Sequence, residues 1–370
     1  MGLPQNSGLD LHAKFPSGVR NLITDVPGVT VGHQTIEDDE KFIHTGVTAI
    51  LPHQGDLFHE KVPAGTAIIN GFGKSAGLVQ VQELGTLETP IILTNTLSVG
   101  TGLTALVKYM LERNEDIGVR TGTVNGVVTE CNDGSLSDIR GLHVKEEDVR
   151  YALDHMGEDF AEGAVGGGTG MCCLGLKGGI GSASRLIKAK RDGAEVTYTV
   201  GALVMSNFGA AGNLVIGGKH YDTRKANPRY QAEAGNVGPV GDRADDQATG
   251  KDKGSIIMII ATDAPLSDRQ LKRVAFRATH ALGRVGSYSG NGSGDVAIAF
   301  STGVRFPHYS QDSVLTTQVY FDDAIDDMFE ATVEAVEESI ISSLWHARTT
   351  TGIRGRKKYG LQDYLREFED

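Results

Sequence analysis

The chain has 370 residues, of which 39% are hydrophobic and 22% charged, the balance of a globular protein with a sizeable core rather than a disordered one. A net charge of −12 argues against a nucleic-acid partner, which needs a basic face. Three cysteines (Cys131, Cys172, Cys173) exclude a disulfide framework, no Cys/His spacing matches a zinc site, and no apolar run approaches the roughly 18 residues of a membrane span.

Met1–Phe15 contains Pro4, Asp10 and His12 around no apolar centre, so it reads as no signal peptide, and a reducing cytoplasm is the expected setting. Strands are predicted at Val47–Leu51, Ala67–Ile69 and Pro90–Leu93, and a helix at Thr101–Asn114. Between the second and third of these strands, Gly73-Lys-Ser-Ala-Gly77 fits the nucleophile elbow of α/β-hydrolases, with Ser75 as nucleophile and His280 or His308 as its base. The same glycine and lysine fail as a phosphate loop, because Ile68 stands where that motif needs its first glycine. Thr129–Gly134 packs two carboxylates and an amide into a few residues, which could hold a substrate ammonium group or simply cap a turn.

A helix is predicted at Glu147–His155, followed by a cluster of glycines over 163–181 that reads as tight turns. Val196–Val204 is strand-like and leads to Ser206-Asn207-Phe208-Gly209, where Asn207 could either donate its amide to a developing oxyanion or sit in a plain turn. From 219 to 253 the chain is polar, charged and poor in aliphatic residues, and it reads as an exposed linker. It runs directly into Ser255–Thr262, an Ile/Met strand patterned for burial on both faces. Helical periodicity returns at Asp268–Leu282 and Asp323–Ser343. Between them, the small residues of 286–295 precede another strand-like run at 296–300 and could set Ser293 and Asp295 beside a reaction centre. Interspersed strands and helices predict a layered α/β fold, with no cofactor called for.

The junction Gly254–Ser255 could simply open the strand from a turn, or it could carry the chemistry. A serine hydroxyl needs a base within reach, and cleavage before Ser255 would provide one as its own α-amine. Such an amine has an ordinary pKa of about 7.7–8.0, so much of it is neutral near pH 7. Cleavage could be intramolecular: the hydroxyl attacks the Gly254 carbonyl, the acyl group shifts from nitrogen to oxygen, and water hydrolyses the ester. Glycine before the serine suits this, because it leaves the carbonyl unhindered and tolerates a distorted backbone.

Seven ordered blocks resemble the L-aminopeptidase/D-Ala-esterase family, which includes the β-peptidyl aminopeptidases. They are NLITDVPGVTVGH (21–33), TPIILTNTLSVGTG (89–102), ECNDGSLSDIRG (130–141), VGGGTGMCCLGLKGGIGSASR (165–185), SNFG (206–209), GSIIMIIATDAPL (254–266) and SGDVAIAFST (293–302). The resemblance implies one domain over 1–370, built as a four-layer αββα sandwich of the N-terminal-nucleophile type. It also implies maturation into an α-subunit (1–254) and a β-subunit (255–370), assembled as a homotetramer of such pairs. The implied activity is that of a serine aminopeptidase, amidase or esterase acting on short peptides, amides or esters with a free amine. Carried onto this chain, Ser255 matches the nucleophile, Asn207 the oxyanion donor, Ser293 the supporting serine and Asp295 the acidic position behind it. Glu130, with Asn132, lies where the family holds the substrate ammonium. The competing readings are acyl transfer by the same fold, the Ser75 hydrolase, and an unprocessed chain without catalysis.

Overall fold

Apolar residues decide how the strands stack. The computed structural model describes residues 2–4, 7–226 and 253–369. The fold is carried by β1 (Thr30–Asp38), β2 (Ile43–Leu51), β3 (Glu60–Gly71), β4 (Ile91–Asn95), β5 (Val127–Cys131), β6 (Gly179–Arg191), β7 (Ala194–Asn207), β8 (Lys253–Thr262) and β9 (Gly292–Ser301). Its main helices are α1 (Leu78–Leu84), α2 (Val99–Arg113), α3 (Glu146–Asp154), α4 (Asp268–Arg284) and α5 (Asp326–Trp345).

The smaller sheet has the order β1-β2-β4-β5. The larger runs β3-β9-β8-β7-β6, with short pieces added along β3. Within each sheet one neighbouring pair is parallel, β4 with β5 and β8 with β9, and a helix (α2, α4) lies between the two strands in the chain. Alternation along β8 shows how the layers form. Ile257, Ile259 and Ala261 join Val31, Ile91, Leu93 and Val127 in a core between the sheets. Ile256, Met258 and Ile260 join Leu271, Val274, Val336 and Ile340 of α4 and α5 in a core on the other face. A third core packs α2 and α3 on the outside of the smaller sheet, through Ala49, Ile92, Leu106, Val128 and Val149. The order is therefore helix, sheet, sheet, helix, the four-layer αββα sandwich. Each buried aliphatic side chain of β8 contributes about 1.5–3 kcal/mol, which anchors this strand firmly in the middle of the larger sheet.

The helices begin where their capping residues place them. Ser267 Oγ accepts from the Gln270 N–H and Gln270 Oε1 accepts from the Ser267 N–H, a capping box that opens α4. Helix α5, expected from its periodicity, is buried on nearly every side. Two of its acidic residues are compensated by the fully buried Arg185, which bonds Glu334 (3.0 Å) and Glu338 (2.6 Å). Removing that guanidinium alone would cost about 3–5 kcal/mol, since two buried carboxylates would lose their partner.

Two expectations need correction. The glycines of 163–181 do not form turns throughout: from Gly179 the chain is strand β6, and a side chain at Gly181 would lie 1.9 Å from the Ser339 carbonyl of α5. The stretch read as an exposed linker begins inside the fold. Lys219–Tyr221 pairs with Leu214–Ile216, and Tyr221, Thr223 and Ala226 are buried. Residues 227–252 of that linker lie outside the described residues. Among the described residues no helix is long and apolar enough to cross a membrane, and Cys131, Cys172 and Cys173 are buried thiols outside any disulfide.

Candidate active site

Three strand ends converge on Gly254–Ser255. In the antiparallel pair of β7 and β8, Asn207 stands opposite Ser255. In the parallel pair of β8 and β9, Ser293 stands beside Gly254 and Gly294 beside Ser255. The larger sheet thus gathers Asn207, Ser255, Ser293 and Asp295 although they are scattered over the sequence. All four are buried; Ser255 keeps 6% exposure and Asn207 5%, while Ser293 and Asp295 are closed off.

The backbone at Gly254 has φ +113°, a region that only glycine occupies without strain. A β-carbon there would lie 2.0 Å from the Asn207 carbonyl oxygen. One β-carbon on Gly294 would fall 2.9 Å from Ser255 Oγ and 2.9 Å from the Phe72 carbonyl oxygen. Bare backbone therefore makes room for the Ser255 hydroxyl at Gly294 and for the Asn207 carbonyl at Gly254. Ser293 Oγ donates a short hydrogen bond to Asp295 Oδ1, so this carboxylate orients the hydroxyl beside Gly254.

Asn207 is held at both ends of its amide. Its Oδ1 accepts from the Cys172 N–H (2.9 Å), and its Nδ2 donates to the Asn132 carbonyl (3.0 Å). A primary amide has two N–H groups, and only one of them has an acceptor among the described residues. Asn132 enters the site through this carbonyl. Its exposed side chain accepts from the Gly134 N–H (2.9 Å) in a local turn and does not join Glu130.

Glu130 lies in the last turn of the pleat of β5, not in a capped turn as its neighbours suggested. It is 2% exposed, accepts from the Lys74 N–H (2.8 Å), and also accepts a short hydrogen bond from Thr96 Oγ1. Gly73 spans the gap to β9: a β-carbon on it would lie 3.6 Å from Glu130 Oε1 and 3.9 Å from Gly294 Cα. Cys131 Sγ donates weakly to the Ser255 carbonyl (3.4 Å), and burial, then the charges of Glu130 and Asp295, push its thiol well up in pKa. Buried and held as the thiol, it is an inert wall of the site.

Sequence reasoning missed Thr96, the Phe72–Lys74 loop and the Cys172 N–H. The loop was visible only as a competing nucleophile motif, and a backbone donor leaves no residue-type signal. That competing motif has no base. Ser75 Oγ is buried with no hydrogen-bond partner among the described residues. His308 is engaged with Thr121 Oγ1 (2.7 Å) and packed on Phe58, and His280 is exposed on α4.

Comparison with known proteins gives the same picture. The β-peptidyl aminopeptidase BapA of Sphingosinicella microcystinivorans is 38% identical over 356 residues, covering 94% of this chain and 87% of that protein. The crystal structure of the PH0078 protein from Pyrococcus horikoshii OT3 superposes with a TM-score of 0.87 at 49% identity, covering 100% of this chain and 99% of the other. The L-aminopeptidase D-Ala-esterase/amidase of Ochrobactrum anthropi, described as a prototype of the serine aminopeptidases and a variant of the Ntn hydrolase fold, gives 0.83 at 34% identity, covering 98% and 97%. The model of peptidase family S58 matches residues 21–358, through both sheets and across the Gly254–Ser255 junction. This chain belongs to peptidase family S58.

Proposed function

We propose that this chain, a serine aminopeptidase and amidase of the N-terminal-nucleophile class, cuts its own Gly254–Ser255 bond and then uses Ser255 as nucleophile. The observation that carries this reading is the junction itself: a glycine at φ +113° feeding a buried strand whose first serine faces Asn207 and Gly294. In maturation the Ser255 hydroxyl attacks the Gly254 carbonyl, with Ser293, oriented by Asp295, placed beside that residue to move a proton. In turnover the new α-amine takes the proton of Oγ as Oγ attacks the substrate carbonyl. The free N–H of Asn207 meets the developing oxyanion, the proton passes to the leaving group, and water releases the acyl product. Glu130 pairs with the substrate's ammonium group, so short peptides, amides or esters with an unblocked amine are the substrates.

The relatives support aminopeptidase chemistry of this kind, on β-peptides or on L-amino acid and D-alanine derivatives by their names. The mature form is proposed as fragments 1–254 and 255–370 that stay together and assemble as a homotetramer of pairs. A reducing cytoplasm suits three cysteines that form no disulfide.

Intact mass and denaturing electrophoresis of the purified protein should show the two fragments, the smaller with the N-terminal sequence Ser-Ile-Ile-Met. Ser255→Ala should leave one full-length band and lower hydrolysis of an amino-acid p-nitroanilide by roughly 10³-fold or more. Ser75→Ala should change the rate less than twofold. A wild-type chain that stays whole on prolonged incubation yet turns over substrate would overturn the reading.

A further inference from the structure

The glycine-rich block of residues 165–185 is absorbed neither by the nucleophile nor by the ammonium site. It forms a tight structure behind Asn207. Gly166–Gly168 makes a 3-10 turn, and Cys172–Cys173 pairs with Leu176–Lys177, setting Cys172 opposite Lys177. Leu174 and Gly175 turn the hairpin with φ of +51° and +88°. The hairpin presses on the end of β7: a β-carbon at Gly178 would lie 2.2 Å from the carbonyl of Ser206, the residue before Asn207.

Lys177 is completely buried in this hairpin. Its Nζ donates to the carbonyls of Gly168 (3.2 Å), Met171 (2.9 Å) and Gly178 (2.7 Å), using all three of its hydrogens. No neutral side chain of that length offers three donors from one atom. The carbonyls it gathers flank the stretch whose Cys172 N–H donates to Asn207 Oδ1. That donor decides which way the amide faces, because the reverse orientation would set an NH2 against an N–H. Resting on the reading of Asn207 as oxyanion donor, we propose that Lys177 is a positioning residue: its ammonium clamps the hairpin and thereby fixes the Asn207 amide toward Ser255.

Protonation adds a second handle. Burial pulls Lys177 down to about 8, as does the charge of Arg348, while Cys172, Glu37 and Asp133 act to raise it. The clamping form is the cation, which predominates below about pH 8. Above that pH one hydrogen and one carbonyl contact are lost. The Ser255 amine titrates in the opposite sense, becoming active as pH rises.

The test is a double-mutant cycle on the matured protein, followed by kcat and KM for a free-amine p-nitroanilide. Asn207→Ala should lower kcat roughly 10²–10³-fold. Lys177→Met should lower kcat about 10–100-fold with KM within twofold, because a slightly misplaced donor mainly affects the transition state. The double variant should be no slower than Asn207→Ala alone, since the two residues act as one unit. If Lys177→Met yields no folded protein, the parent enzyme decides: its kcat should decline above about pH 8, and that decline should vanish in Asn207→Ala. An unchanged kcat, losses that multiply in the double variant, or an alkaline decline that persists without Asn207 would overturn the clamp. Full activity in Asn207→Ala would instead refute the oxyanion role, and the clamp with it.

Discussion

The two parallel strand pairs of this molecule present their candidate functional residues at opposite ends. In the smaller sheet, β4 and β5 carry Asn95 and Glu130 toward their carboxyl ends, with Thr96 just beyond. That is where open α/β sheets usually hold a ligand. In the larger sheet, β8 and β9 carry Ser255, Ser293 and Asp295 near their amino ends. The inversion has a chemical reason in the proposed mechanism. A nucleophile that must supply its own amine has to stand first on its strand, whereas an ammonium-binding carboxylate needs only a firm strand end. The two edges meet across Gly73 and through Cys131, so both arrangements lie close together.

The inverted edge should be the more fragile of the two. Gly254→Ala strikes it hardest, since the new β-carbon would collide with the Asn207 carbonyl in a backbone region closed to alanine. Intact mass should show an uncut chain, and turnover should fall roughly 10³-fold or more. Normal cleavage in this variant would break the link between strain and maturation. Ser293→Ala removes the hydroxyl that Asp295 orients and should lower both the cleavage rate and kcat by roughly 10²–10⁴-fold, read by time-resolved electrophoresis and steady-state kinetics. The conventional edge should respond in binding instead. Glu130→Gln keeps the shape but loses the charge, so KM for free-amine substrates should rise about 10–100-fold while kcat moves little. Equal turnover of free and N-acetylated substrates by the parent protein would remove Glu130 from the ammonium role.

How much of this was legible follows from how each element earns its burial. Ser255–Thr262 was readable because a run of Ile and Met can only be a strand covered on both faces, and both cores indeed divide its side chains. The helices α2, α3 and α4 were readable from their periodicity to within a few residues at either end. Strand β6 was not, because its glycines and serines suit the close approach of α5 rather than any local preference. Glu130 looked like part of a polar turn, since a buried carboxylate at a strand end depends on Thr96 and the Lys74 N–H, which come from other parts of the chain.

By itself the sequence determined the layered class, the odd junction at Gly254–Ser255 and the residue types able to do the chemistry, because periodicity and functional groups are local properties. Only the tertiary structure decided that Asn207 faces Ser255, that Ser293 stands beside Gly254, and that the glycine-rich hairpin grips Asn207 from behind. Those relations are matters of strand register and backbone donors, and register is set by which faces find a core, not by any one segment.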